Sequence, residues 1–138
     1  MHGPRFLRFG DAALLVEFGD RIDRRISATV MALDAAIAAD PPPGVVETAP
    51  SFRSLLVQFD PLETEEAEVE RAVRALLPGL EPGGTEGRRW RLPACYEGEL
   101  APDLAAVAER AGLPPREVVE RHAAAEHHVY MTGFLPGC

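Results

Sequence analysis

At 138 residues, 46% of them hydrophobic, the chain suits one ordinary domain, or a small domain with part of a second, and is too apolar for disorder. Its formal net charge of -8 argues against a nucleic-acid surface, and no apolar run approaches the length of a membrane span. All 14 basic residues are arginines, which removes the phosphate-loop motif, Schiff-base chemistry and biotin or pyridoxal-phosphate attachment, each of which needs a lysine amine.

Residues 1 to 9 lack the long apolar core of a signal peptide, so the cytoplasm is the expected compartment. Two cysteines, Cys95 and Cys138, do not make a disulfide framework, and Cys95 is expected to be a small buried hydrophobe in a strand. Phe6 to Phe9 and Ala12 to Phe18, joined through Gly10-Asp11, predict a β-hairpin. A helix follows, with Ile22, Ile26, Val30, Leu33 and Ile37 on one face, Asp20 or Asp23 as its cap, and Asp40-Pro41-Pro42-Pro43-Gly44 as its stop. Val45 to Thr48 and Ser54 to Phe59 predict two more strands, separated by the Pro50-Ser51-Phe52 turn.

The next helix is expected from about Thr64. Acidic residues lie at the positive end of its dipole, Val69, Val73, Leu76 and Leu77 form its stripe, and Pro78-Gly79 stops it. The order ββαββα predicts an α+β sandwich over residues 1–80, with helices on one face of a mainly antiparallel sheet.

Glu81 to Gly87 has the composition of a linker, and residues 88–138 are expected to form a second unit. There the pattern predicts a strand over 89–96, a helix capped by Asp103 and ended by Gly112, a helix from Pro115 through His122, and a strand over 128–131. That last strand, containing Tyr130, feeds Gly133-Phe134-Leu135-Pro136-Gly137. Two glycines and a proline there shape a loop carrying two large apolar side chains, costly to leave in water and expected to wall a pocket or an interface. Loops of this kind return into another strand, so the sheet is expected to be unfinished at Cys138.

Five segments in this order resemble one family. They are Gly10 to Phe18, Pro50 to Pro61, Pro93-Ala-Cys-Tyr-Glu-Gly98, Pro102-Asp-Leu104, and His122 followed by Val129-Tyr130-Met131 and Gly133 to Gly137. The family is that of the B subunit of 5-oxoprolinase, also called allophanate hydrolase subunit 1, with the histidine-kinase inhibitor KipI among its members and a carboxyltransferase subdomain C/D signature. The resemblance implies an N-terminal α+β domain followed by a cyclophilin-like β-barrel domain, of which residues 88–138 would be the first part. It implies the C and A subunits of 5-oxoprolinase as partners, ATP as co-substrate, and opening of 5-oxoproline to glutamate. A KipI-like inhibitor of a histidine kinase, or a subunit of urea or allophanate metabolism, are the alternatives it leaves open. Thr132 and His127-His128 depart from the family's usual residues.

A lactam carbonyl is a poor electrophile, and phosphorylating its oxygen would turn that oxygen into a leaving group. A site for that chemistry needs arginines, backbone N–H donors and a metal near the phosphates. No metal-ligand set is visible: His122, Glu126, His127 and His128 contain no HExxH motif, adjacent histidines on a strand point to opposite faces, and solvated surface is the better reading.

His122 matches the family histidine ahead of the pocket loop and is the candidate catalytic residue. A helix-terminal histidine facing the negative end of the dipole is the plain alternative. Arg53 and Ser54, at the start of a strand, are candidate substrate or phosphate contacts, against the alternative of an exposed strand end. Tyr130 and Gly133 to Gly137 complete the candidate pocket. Asp11 and Asp60 are explained by turns. Residues 103 to 125 also resemble a helix-turn-helix, but Glu117 and Glu120 offset Arg116 and Arg121 on its second helix, which speaks against duplex DNA.

Overall fold

The computed structural model describes residues 3–83 and 87–133. Two compact units emerge from its contacts. One takes the described residues of Met1–Glu86 and Val129–Cys138, the other those of Gly87–His128.

The first unit is built on strands β1 (Arg5–Arg8), β2 (Ala13–Glu17), β3 (Val45–Pro50) and β4 (Ser54–Phe59), all paired antiparallel in the order β1-β2-β4-β3. Helix α1 (Arg24–Ala39) links β2 to β3, and α2 (Glu66–Leu76) follows β4. Alternation decides which sheet face is buried. Leu14, Val16, Leu55, Val57 and Phe59 point to one side and join Val30, Leu33, Ile37, Val69 and Val73 from the helices in a single core. Phe6 packs against this cluster from the edge strand, and the Arg74 guanidinium lies 3.9 Å from the centre of its ring. Thr48 donates to Asp34 Oδ1 at 2.5 Å, tying α1 to β3.

Asp23, not Asp20, caps α1: its Oδ1 accepts from Arg25 N at 2.8 Å and Ile26 N at 3.2 Å. Those two backbone donors, Ile26 first, hold the Asp23 carboxyl below its ordinary value of 3.8. Ile22 falls outside the apolar stripe, since it precedes the helix and is 67% exposed. The α1–β3 connection turns at Gly44, whose φ of +77° favours glycine. A β-carbon there would lie 2.5 Å from Thr64 Cγ2, so the loop before α2 is seated on that turn. Leu77 leaves the α2 stripe and begins the short 3₁₀ turn Leu77–Gly79, still packed against the core.

The second unit holds α3 (Leu104–Ala111) and α4 (Pro115–Ala124), with a 3₁₀ turn over Gly98–Leu100 before them. Gly112, at φ +64°, ends α3 by donating to Ala108 and Glu109. Asp103 occupies the position before α3, but its side chain makes no capping bond, because its backbone is already helical. The strands expected over 89–96 and 128–131 are not formed. An extended segment becomes a strand only by joining a ladder with a neighbour, and neither of these segments is a strand in the structure. Cys95 consequently lies exposed, not buried.

Candidate functional site

In the first unit the candidate residues gather where β1, β2 and β4 end together. Glu17 pairs across to Arg5 on one side and to Ser54 on the other. Its carboxylate, only 11% exposed, takes an ion pair from Arg5 and a second from Arg53 at 3.7 Å. Arg53 also lies 5.7 Å from the Phe52 ring, and its carbonyl accepts from Phe18 N at 2.9 Å. Ser54 is fixed through its backbone, its carbonyl accepting from Ser51 N at 2.7 Å. Two guanidiniums on one carboxylate leave a net positive charge, so this sheet end is able to meet an anionic group. Arg53 is nevertheless partly committed to Glu17.

In the second unit α4 carries His122 in its last turn, where a basic residue is favoured by the dipole. The ring is held by more than that. Tyr96 Oη lies 2.7 Å from His122 Nδ1, with the two rings edge to face at 5.7 Å and 79°. The His127 ring packs 5.3 Å from His122 at a tilt of 43°. Arg89 pairs with Glu126 at 3.0 Å in the same unit. Among the described residues no three His, Cys, Asp or Glu side chains converge on a metal position.

Arg53 and Ser54 thus stand together in the first unit, and His122 stands in the second with Tyr96 and His127. Tyr130 is half-buried. Among the described residues nothing lies within 4 Å of where a Gly133 side chain would be, while Phe134, Leu135, Pro136 and Gly137 lie outside the described residues. Sequence reasoning missed Glu17, Tyr96 and the role of His127 as a ring neighbour. Tyr96 had a signal, since it lies in the Pro93 to Gly98 segment. Glu17 had none beyond its place near a strand end.

The family described as carboxyltransferase domain, subdomain C and D, matches residues 4–138. The chain belongs to that family. Among similar proteins, the B subunit of 5-oxoprolinase from Bacillus subtilis is 34% identical over 94% of this chain and 59% of its own length. The protein of the same name from Escherichia coli O157:H7 is 37% identical over 69% of this chain and 44% of its own. The crystal structure of the conserved protein PH0987 from Pyrococcus horikoshii is 36% identical, with a TM-score of 0.52 over 96% of this chain and 61% of that one. The chain therefore spans about three-fifths or less of the length of these family relatives. No helix among the described residues is long and apolar enough to cross a membrane.

Proposed function

We propose that this chain acts as the B subunit of an ATP-dependent 5-oxoprolinase, which opens 5-oxoproline to glutamate together with the C and A subunits. One observation carries it: the family match covers nearly the whole chain, and curated relatives at 34% and 37% identity bear the name of that component. On this reading the N-terminal α+β unit precedes a cyclophilin-like barrel domain, and the pocket is completed by the partner protein. The reaction consumes ATP, so the proposed compartment is the cytoplasm.

ATP would supply the phosphoryl group that turns the lactam oxygen into a leaving group. The arginines nearest the candidate positions already serve carboxylates: Arg5 and Arg53 hold Glu17, and Arg89 holds Glu126. Of these, the Arg5–Arg53 pair keeps excess positive charge for an anion, whereas Arg89 is neutralised one to one. One excess positive charge suits a single anionic group and falls short of a triphosphate, which is assigned chiefly to the partner proteins. This chain's contribution is to orient and polarise the substrate through His122 and the residues that fix it.

The test is reconstitution. This chain replaces the Bacillus subtilis B subunit in a mixture with the A and C subunits, and 5-oxoproline-dependent ATP hydrolysis is measured. Hydrolysis above the two-component background supports the assignment. A chain that neither associates with the C subunit nor raises hydrolysis overturns it.

A further inference from the structure

We propose that Tyr96 sets the tautomer of His122, so that the imidazole offers Nε2–H to an oxygen of the substrate as a hydrogen-bond donor and not as a base. The pair Oη to Nδ1 at 2.7 Å admits two proton arrangements. A neutral imidazole has one donor and one acceptor nitrogen, and a phenol has one hydrogen to give. Donation from Tyr96 to Nδ1 gives the phenolic hydrogen a strong acceptor and fixes the imidazole proton on Nε2. The reverse arrangement sends the phenolic hydrogen to water and leaves Nε2 as the acceptor. Neutral groups favour the first.

The surroundings hold this geometry in place. Tyr96 is half-buried and meets the exposed His122 edge-on, at 79°. The His127 ring packs beside the imidazole, 5.3 Å away at a tilt of 43°. Nε2 lies across the ring from Nδ1 and is directed away from the Tyr96 hydroxyl. An N–H donor fixed in this way suits an oxygen that carries or gains negative charge, such as a lactam carbonyl, a carboxylate or a phosphate. Tyr96 is thus a positioning residue that acts through His122. The substrate class rests on the oxoprolinase assignment, whereas the tautomer does not.

Long-range ¹⁵N–¹H correlation spectra of the whole chain separate protonated from unprotonated ring nitrogens and test this directly. They are recorded at about pH 8.5, above the ordinary histidine range, with His122 signals identified by their loss in His122→Gln. The expected result is a single His122 pattern with the proton on Nε2. In Tyr96→Phe, which keeps the ring and its edge contact, the two ring-nitrogen shifts are expected to move toward each other as the Nδ1–H tautomer gains population. A wild-type pattern with the proton on Nδ1 overturns the proposal, even if the variant fails to fold. So does any wild-type pattern, single or mixed, that a folded Tyr96→Phe leaves unchanged. The spectra need neither ATP nor 5-oxoproline. A single Nε2–H pattern that Tyr96→Phe disturbs, beside a failed reconstitution, therefore overturns the oxoprolinase assignment alone, and an undisturbed pattern beside a successful one overturns the tautomer alone.

Discussion

At the first turn of α1, Asp23 receives two backbone N–H groups that the helix itself cannot satisfy, and the charged carboxylate is the form they favour. Its folded pKa is depressed, so the stabilisation is complete above the unfolded value of 3.8 and disappears as pH falls through the lower folded value. Asp23→Ala is expected to lower the Tm near neutral pH, and Asp23→Asn, which keeps an accepting oxygen, to lower it less. As pH falls below 3.8 the wild type should lose its advantage over Asp23→Asn, whose cap does not titrate, while the gap between Asp23→Asn and Asp23→Ala persists; thermal melts at falling pH would check this. Arg53 poses a different question, because its side chain is 36% exposed and its carboxylate partner is 3.7 Å away. A pair of that kind contributes below about 1 kcal/mol. Arg53→Ala should therefore barely change urea unfolding, while a substrate contact would lower kcat/KM of the reconstituted enzyme by at least about tenfold, or roughly 1.4 kcal/mol. Equal, small effects on both would leave Arg53 a plain strand-end residue.

Between elements, the legibility of the chain followed hydrogen bonding more than hydrophobicity. The hairpin, β4 and both helices of the first unit carried periodic apolar residues, and the expected bounds lie close to the observed ones. Residues 89–96 and 128–131 look like strands by the same composition. Strand formation depends on a neighbouring ladder that no local pattern records, and neither segment is a strand in the structure. Cys95, expected to be buried in such a strand, is exposed for that reason. The Tyr96–His122 contact joins positions 26 apart and was equally invisible locally. Two substitutions probe the elements that did form. Leu14 and Leu33 are fully buried on opposite layers of the core, so Leu14→Ala or Leu33→Ala should each cost about 2–5 kcal/mol in chemical denaturation. Gly44→Ala faces both a φ of +77° and the Thr64 side chain, and should cost more than about 1 kcal/mol where an ordinary loop substitution costs little.

Across the whole molecule the two units differ most in what they bury. The first encloses a ten-residue apolar cluster between its sheet and its helices, whereas Ala108 is the one core residue among the described positions of the second. Trp90, Leu92 and Leu100 remain 66%, 80% and 74% exposed there. Buried apolar area is the main term opposing chain entropy, so the second unit should open locally at a lower free energy than the first. Its arginines at 88, 89, 91, 110, 116 and 121 then supply tryptic sites, while Arg71 and Arg74 are held on α2 by pairs with Glu68 and Glu70. Brief trypsin treatment is expected to cut within residues 88–121 and leave residues 1–80 intact, and amides of β2 and β4 should be the slowest to exchange. Uniform resistance would show that the second unit is stable on its own. If the C subunit completes the pocket, its addition should protect Arg89 through Arg121 from cleavage without altering exchange in β2 and β4, because partner binding would then supply the apolar contact that Trp90, Leu92 and Leu100 lack.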